Sequence, residues 1–316
     1  MNRIIIFVIL LLITSLLGYF FKNDENEHIQ EDFSNIENRT LHNNPITIYD
    51  EFYTSLYDEL FLNKIKNEFE IYNTELYTIN EPKYKNKFLK EDIRFLDLGC
   101  GNGKHLDIIL RKKYRADAID ISEPMLKRAK ILINKNKYAS DVKLVQGDFM
   151  KDTSIFTNSK YTHIICMFYT VYYIKDTKVL FTNIYNSLKD GGYMIVHLVN
   201  KKLFDPVLEK ASKLIPLFNP QRHSNSRITK TKLKFNKFDY VADWDIREND
   251  MNVVFRENFI FKDKNRQLLV NEHIFYMRNI PYYKNMAKSL GFELVKIVDL
   301  LPTNHDNSYI YIFRKM

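Results

Sequence analysis

Glycines and carboxylates in the middle of the chain have types and spacing suited to binding a nucleoside. Asp97 begins the run D-x-G-x-G-x-G, whose glycines are Gly99, Gly101 and Gly103. Glycine lets the backbone turn sharply and come close to a ligand, because it has no side chain. Asp120, further along, carries an acceptor-only group that can take both hydroxyls of a vicinal diol such as ribose. The pattern predicts a nucleoside site without identifying the nucleoside.

The segments around these residues alternate between apolar strands and helices. The run from Ile93 is an apolar strand that enters the glycine turn and then a helix. Ser122 can cap a second helix, with Pro124 in its first turn. Such alternation predicts an α/β fold, a Rossmann-like, seven-stranded, mostly parallel sheet with helices on both faces. The expected strands are residues 93–98, 114–120, 142–145, 161–168, 193–199, 293–298 and 308–313, and the later helices are 175–188, ended by Asp190-Gly191-Gly192, and 281–290.

The glycine run resembles motif I of the class I S-adenosylmethionine-dependent methyltransferases. A dinucleotide-binding fingerprint would carry a glycine where Lys104 stands, so a nicotinamide dehydrogenase is disfavoured. From about residue 50 to 316 the arrangement is similar to the amino-sugar N-methyltransferases and their small-molecule relatives. One position departs from the family, which commonly has an acid second in its fourth strand, where this chain has Thr162.

The resemblance implies S-adenosylmethionine as the cofactor and assigns roles to individual residues. Asp120 would bind the ribose and Asp148 the adenine amino group, while Ile121 and Phe149 would enclose the adenine ring or belong to the core. A tyrosine of an N-terminal helical cover would close over the cofactor carboxylate, with a place in the helix core as the alternative. The predicted cofactor-binding residues are Asp97, Gly99, Cys100, Gly101, Gly103, Asp120, Ile121, Asp148, Phe149, Met167, Tyr53 and Tyr57.

Methyl transfer from a sulfonium requires an aligned nucleophile and, for an alcohol or ammonium acceptor, a group that takes a proton. The predicted catalytic residues are His197, at the end of the fifth strand, and Tyr169 and Tyr172, just beyond the fourth. Tyr173 would join these tyrosines in lining the pocket, where aromatic walls suit a cationic amine. His105, Glu272 and His273 are further candidates for the proton acceptor. No metal is expected, because the two cysteines, Cys100 and Cys166, lie in apolar runs that predict buried strands.

The chain divides into six predicted regions. Residues 1–21 are a membrane anchor, with an uncharged apolar helix over Ile4–Phe21, rather than a cleaved signal peptide. A flexible linker (22–44), a helical cover (45–90) and the cofactor-binding core (91–200) follow. A β-rich insert (201–277), read as an antiparallel lid over the substrate, precedes the completion of the sheet (278–316). We expect the catalytic domain to face the cytosol; glycosylation at Asn38 would indicate the opposite orientation.

The net charge of +8 and the pI near 9.1 are spread along the chain rather than concentrated in a stripe, which disfavours nucleic acid as a partner. The expected function is methyl transfer to an N or O atom of a small-molecule or membrane-proximal acceptor. RNA or protein methylation and a non-catalytic cofactor-binding module are the alternatives. The sequence leaves the acceptor and the oligomeric state open.

Overall fold

The computed structural model describes residues 38–61, 63–80, 88–136, 142–156, 158–206, 221, 227–247, 250–263 and 267–316. The predicted anchor, Ile4–Phe21, and most of the predicted linker lie outside these residues. Among the helices that are described, none is both long and apolar enough to cross a membrane.

A seven-stranded sheet forms the centre of the unit that extends from Arg39 to Met316. Its order is β11-β12-β6-β5-β2-β3-β4; β12 runs antiparallel to both neighbours and the other pairs are parallel. The α/β prediction with seven mostly parallel strands is therefore confirmed. The strands are β2 (Arg94–Leu98), β3 (Arg115–Asp120), β4 (Val142–Gln146), β5 (Tyr161–Cys166), β6 (Leu188–Val199), β11 (Phe292–Asp299) and β12 (Ser308–Lys315).

Both faces of this sheet are covered, because alternate residues of its strands belong to two separate apolar clusters. In β5, Ile164 and Cys166 pack in one cluster and Ile165 in the other. Buried parallel strands therefore appear in the sequence as continuous apolar runs. The helices after the strands are α4 (Lys104–Arg111), α5 (Glu123–Lys135), α6 (Thr177–Ser187) and α7 (Ile280–Ser289).

Side chains that accept backbone hydrogen bonds fix where three of these helices begin. The side chains of Ser122, Asp176 and Asn279 accept from the backbone N–H groups of residues 125, 179 and 282, respectively. Each cap satisfies a donor that the helix itself leaves unpaired. The predicted N-cap at Ser122 is thus confirmed.

The predicted stop at Asp190-Gly191-Gly192 is wrong, because α6 ends at Ser187 and these three residues belong to β6. Gly191 has a φ of +76°, and a Cβ at Gly192 would lie 2.8 Å from the carbonyl oxygen of Lys189. The glycines therefore serve an irregular strand entry that no larger residue fits, and they do not end a helix.

A second sheet of five strands contains the insert, in the order β1-β10-β9-β8-β7. Three strands match the expected β-rich segments: β8 (Phe238–Asp245), β9 (Asn252–Phe261) and β10 (Leu268–Tyr276). Two strands were not predicted from the sequence: β7 (Lys230–Lys234), which is mostly lysine and threonine, and β1 (Arg39–His42), which is largely exposed. Neither segment has enough apolar residues to produce a strand signal.

The start of the folded unit differs from the prediction. β1 lies inside the expected linker of residues 22–44 and pairs in parallel with β10, so the folded unit begins at Arg39, before the expected start at Pro45. The segment expected to form the helical cover contains α1 (Pro45–Ile48), α2 (Glu51–Phe61) and α3 (Lys64–Glu75), extended by a π-helical turn at Leu76–Asn80.

Candidate active site

A cavity of about 440 Å³ lies at the carboxyl ends of β2, β3, β4 and β5, between the central sheet, helix α2 and the second sheet. In open α/β sheets this edge is where ligands bind. Ten of the twelve predicted cofactor-binding residues line it; Asp97 and Gly103 do not.

The glycine loop is held against the end of β3 by its own backbone. The N–H groups of Gly99 and Cys100 donate to the carbonyl oxygen of Ile119, at 2.9 and 3.1 Å. The N–H of Gly101 donates to Oδ2 of Asp120 at 2.7 Å. Gly101 has a φ of +54°, and a Cβ there would meet nothing within 4 Å. This glycine therefore leaves open space for a ligand to approach the backbone.

The other two glycines make room for protein rather than for ligand. A Cβ at Gly99 would lie 2.5 Å from Cγ2 of Thr170. A Cβ at Gly103 would lie 2.9 Å from Cβ of Ala129, on helix α5. Gly103, predicted to contact the cofactor, does not line the cavity; its lack of a side chain allows α4 and α5 to pack closely.

Asp120 is positioned in advance for a diol. Its Oδ2 accepts from Gly101, its Oδ1 accepts from the Ser122 N–H at 2.9 Å, and the residue is 9% exposed. Burial raises the pKa of this carboxyl, while the backbone N–H donors oppose the rise. Each oxygen keeps a lone pair beyond its backbone bond, which fits two adjacent ribose hydroxyls.

The expected adenine residues line the same cavity at the end of β4. Oδ1 of Asp148 accepts from the Met150 N–H at 3.0 Å, and its side chain remains 30% exposed. Ile121 and Phe149 are joined by Met125 and Met150, which the sequence analysis did not select. Two flexible thioether side chains are well suited to filling the space around a flat ring.

Asp97 lies behind the loop rather than in the cavity. It is 1% exposed, and within the described chain its Oδ2 has no hydrogen-bond partner. Burial raises its pKa to about 7. Asp97, predicted to bind the cofactor, therefore does not line the cavity through its side chain.

Helices α2 and α3 bring charged residues to the cavity that the sequence analysis did not assign. Asp58 accepts from Asn102 at 2.5 Å and pairs with Lys104 at 2.8 Å. Lys104, which stands where a dinucleotide-binding fingerprint would have a glycine, therefore forms an ion pair with α2. On α3, the buried Glu70 pairs with Lys66 at 2.6 Å and with Nε2 of His105 at 2.7 Å. Tyr53 and Tyr57 on α2 line the cavity as predicted.

Two of the three predicted catalytic residues lie outside the cavity lining. The Nδ1–H of His197 donates to the Phe168 carbonyl oxygen at 2.8 Å, and burial lowers the pKa of the imidazole to about 3. The hydroxyl of Tyr172 is fully buried and accepts from the Val199 N–H at 2.7 Å. Neither side chain lines the cavity and both are held by backbone groups, so the geometry does not support their predicted catalytic roles; of the three, Tyr169 lines the cavity.

His273, a further candidate, is the centre of a buried polar network. Its Nε2 lies 2.7 Å from Oε2 of Glu257, and its Nδ1 contacts the hydroxyl of Tyr173. The Tyr173 hydroxyl is 3.0 Å from that of Tyr49, and the Tyr240 hydroxyl donates to Oε1 of Glu257 at 2.7 Å. His273, Tyr173 and Tyr49 line the cavity, whereas Glu272 pairs with Arg256 away from it.

A sequence signal for Glu257 existed but was missed. In β9 the buried residues alternate, at Val253, Phe255, Glu257 and Phe259, so the glutamate occupies an inward position of an apolar face. A single acid on such a face needs a buried partner. That partner, His273, comes from the neighbouring strand and is visible only once β9 and β10 are paired in register.

Comparisons with known proteins agree with this geometry. Residues 89–243 match the protein family described as "Methyltransferase domain". The chain is 32% identical over 135 residues to juvenile hormone acid O-methyltransferase of Bombyx mori, covering 41% of this chain and 47% of that protein. It is also 32% identical over 161 residues to carboxy-S-adenosyl-L-methionine synthase of Nautilia profundicola, covering 49% and 61%. The chain thus spans about half to three fifths of these relatives.

Solved structures share the fold over most of the chain. An S-adenosylmethionine-dependent methyltransferase from Clostridium acetobutylicum superposes with a TM-score of 0.60 at 18% identity, covering 84% of this chain and 98% of that one. CalS10, an amino pentose methyltransferase from Micromonospora echinaspora, gives 0.56 at 14% identity, covering 87% and 100%. Residues 89–243 thus match a methyltransferase domain, and the chain shares the fold of S-adenosylmethionine-dependent methyltransferases, which supports the predicted family and its cofactor.

Proposed function

We propose that this protein transfers the methyl group of S-adenosylmethionine to a nitrogen or oxygen atom of a small-molecule acceptor. One observation carries the proposal: the cavity continues from Gly101 and Asp120 to the second sheet, where Trp244 and His273 line it. At about 440 Å³ it has the size of a small-molecule site. The second sheet covers the end where an acceptor would meet the methyl group.

The residues present fit the cofactor and the transfer. The sulfonium supplies an electrophilic methyl group, so the chain needs no acid for the leaving group. Asp120 would hold the ribose hydroxyls, Asp148 the adenine edge, and Gly101 the close approach to the backbone. Tyr173 and His273 stand where a proton from the acceptor can be taken.

The proposed function is tested by thermal unfolding of the full chain with S-adenosylmethionine, S-adenosylhomocysteine or NAD. A ligand at about 100 times its Kd stabilises the protein by about 2.7 kcal/mol, so both sulfur ligands should raise the Tm and NAD should not. Asp120→Asn should abolish the rise without lowering the Tm of the free protein by more than a few degrees, whereas Glu272→Gln should preserve it. A Tm raised by NAD alone would contradict the proposal.

Two rivals require separate tests. An RNA methyltransferase would lose affinity for its acceptor by orders of magnitude between 50 and 200 mM salt, because several phosphates release counterions. Small-molecule turnover should change by less than about twofold over this range. A non-catalytic module would bind the cofactor but form no S-adenosylhomocysteine with any acceptor supplied.

We also propose that Ile4–Phe21 anchors the protein in a membrane, with the domain facing the cytosol. Support comes from the uncharged apolar run of the sequence and from the cytosolic synthesis of the cofactor. Removal of residues 1–21 should move the protein from the membrane to the soluble fraction of a lysate. A glycosidase-sensitive mass at Asn38 would show the opposite orientation.

A further inference from the structure

At the acceptor end of the cavity, the indole N–H of Trp244 lacks a hydrogen-bond acceptor within the described chain. Trp244 is 5% exposed and lines the cavity. A buried donor without a partner costs about 1–3 kcal/mol. Because the indole nitrogen can only donate, the ligand group that satisfies it must carry an acceptor, such as an oxygen.

The aromatic side chains beside Trp244 stack on one another. The rings of Phe255 and Phe275 lie 4.5 and 5.5 Å from that of Trp244, with interplanar angles of 27° and 21°. Phe275 also stacks on His273 at 5.9 Å and 22°. These rings occupy part of the stacking surface of Trp244, and its unpaired N–H lies at the ring edge. Ring edges carry partial positive charge, whereas a cation needs an open face.

The polar network around His273 is arranged to take a proton. Glu257 is fully buried and, as a carboxylate, can only accept, so the Nε2 of His273 donates to it. The Nδ1 of the neutral imidazole then accepts from the Tyr173 hydroxyl. Tyr173 and Tyr49 both line the cavity, and their hydroxyls are 3.0 Å apart. A proton that reaches the Tyr173 oxygen can pass to His273, where Glu257 stabilises the resulting imidazolium.

From these features we infer that the acceptor is a phenolic compound, methylated on its hydroxyl oxygen, and that Tyr173 and His273 remove the hydroxyl proton. The inference rests on the proposed function and names its substrate class. The oxygen forms a bond to the methyl carbon, the carbon–sulfur bond breaks with its electron pair left on sulfur, and the proton passes through Tyr173 to Nδ1 of His273. The Trp244 N–H would donate a hydrogen bond either to a second oxygen of the phenolic acceptor or to the oxygen that is methylated.

Other acceptor classes fit the subsite less well. A carboxylic acid, with a pKa near 4, is already ionised at neutral pH and needs no proton acceptor. An ammonium carries only donors, so it offers no acceptor to the Trp244 N–H. A phenol, with a pKa near 10, is within reach of an imidazole, whereas an aliphatic alcohol, close to water at 15.7, is far less acidic.

The first test uses Trp244, the only tryptophan in the sequence, as a direct probe of the subsite. With S-adenosylhomocysteine bound, the full chain is titrated with 4-ethylcatechol, 4-ethylphenol, 4-ethylbenzylamine, 4-ethylbenzoate and 4-ethylcyclohexanol while tryptophan fluorescence is followed. A phenol should change the fluorescence and bind about tenfold more tightly than the amine, the benzoate or the cyclohexanol, a difference of about 1.4 kcal/mol. Equal or tighter binding of one of those three, or no response to either phenol, would overturn the inference.

The second test addresses the proton path. With the better-bound phenol as acceptor, His273→Gln and Tyr173→Phe should each lower kcat about 100-fold or more, with the Kd of S-adenosylmethionine unchanged. Their rates should recover as the pH approaches 10, where the phenol ionises without help; Glu272→Gln, one position along β10, should behave as the unchanged protein. Variants that keep the full rate, or that show no recovery at high pH while remaining folded, would refute the path. If S-adenosylhomocysteine itself failed to raise the Tm, the proposed function would fail first and independently.

Discussion

The three glycines of the glycine loop have different surroundings, so the addition of a methyl group should have a different effect at each. Gly101→Ala places a Cβ in open space at a φ of +54°. We expect it to cost about 1 kcal/mol of folding stability, the price of a left-handed conformation, and to weaken cofactor binding at least tenfold. Gly103→Ala adds a clash with Ala129 and should cost about 2–4 kcal/mol in total while leaving the cofactor's contact surface in place.

Urea unfolding measures the folding stability of these glycine variants, and calorimetric titration with S-adenosylhomocysteine measures their ligand affinity. A control at Gly147, where a Cβ would have only ordinary contacts at 3.7 Å or more, shows the effect of alanine at a loop position without a clash. If Gly103→Ala proved as stable as Gly101→Ala, the close packing of α4 on α5 would not be limiting.

Asp97 should make stability depend on pH. Its pKa is raised from 3.8 to about 7 by burial, so the folded protein holds a proton that the unfolded chain releases. The folded state therefore binds more protons between these values, and its contribution to the free energy of unfolding falls as pH rises from about 4 to 7. Asp97→Asn should remove that fall, which amounts to about 4 kcal/mol at most.

Urea unfolding of both proteins at pH 5 and pH 8 measures the difference. Between pH 5 and pH 8, the free energy of unfolding should fall less for Asp97→Asn than for the unchanged protein. An identical pH dependence in both proteins would mean that Asp97 is ionised at neutral pH in the fold.

The helices supply buried charge as well as shape, and α3 is the clearest case. Glu70 is fully buried between Lys66 and His105, and these partners hold the pKa of its carboxyl well below the usual range, against the effect of burial. Glu70→Gln would leave the ammonium of Lys66, 4% exposed, without its counter-charge. We expect a loss of about 3–5 kcal/mol in the free energy of unfolding.

The same helix offers a matched control. Glu68 pairs with Arg111 at 2.5 Å, but both side chains are more than a third exposed. Glu68→Gln should therefore cost less than about 1 kcal/mol. Similar losses for the two substitutions would show that burial does not distinguish the pairs.

The departure at the second position of β5 has a physical explanation in the strand itself. The Thr162 hydroxyl accepts from the Arg94 N–H at 2.9 Å and contacts Nδ1 of His163 at the same distance. His163 stacks on Phe95 at 4.5 Å, and burial lowers its pKa to about 3. The acid that pairs with Arg94 is instead Asp117, on β3.

The cofactor half of the site was predictable because its residues follow one another closely in sequence. Gly101, Asp120 and Asp148 each follow an apolar strand, and parallel strands bring their carboxyl ends to one edge. The half lined by the second sheet was predictable only in part. His273 was a candidate from the sequence, but its grouping with Trp244 and Glu257 was not, since the three residues come from antiparallel strands whose pairing register is set by tertiary structure. The sequence could not show that His197 packs outside the cavity lining, because sequence position indicates the end of a strand but not the face on which its side chain packs.

At the scale of the whole molecule, β1 lies at the start of the folded unit and adds an edge strand to the sheet over the cavity. A protein beginning at Asn44, where the sequence suggested the domain starts, would lack β1 and expose the edge of β10 at residues 268–271. We expect its free energy of unfolding to be about 1–3 kcal/mol lower than that of a protein beginning at Arg39, because the hydrogen bonds between β1 and β10 are lost.

Hydrogen exchange provides the sharper measurement, because backbone amides of β10 should exchange faster in the shorter protein while those of β2 and β5 remain protected. A protein beginning at Asn38 serves as the control and should match the Arg39 version. Equal protection of β10 in the Asn44 version would mean that β1 contributes nothing to the second sheet.

The contact between Gly103 and Ala129 also carries an evolutionary consequence. The space between the two positions holds about one methyl group. A larger residue at one position therefore requires a small residue at the other and a wider separation of the two helices. Among relatives of this protein, substitutions at residues 103 and 129 should therefore occur together. A constraint usually attributed to the ligand-binding loop would thus extend to the middle of α5, at a residue that never meets the ligand.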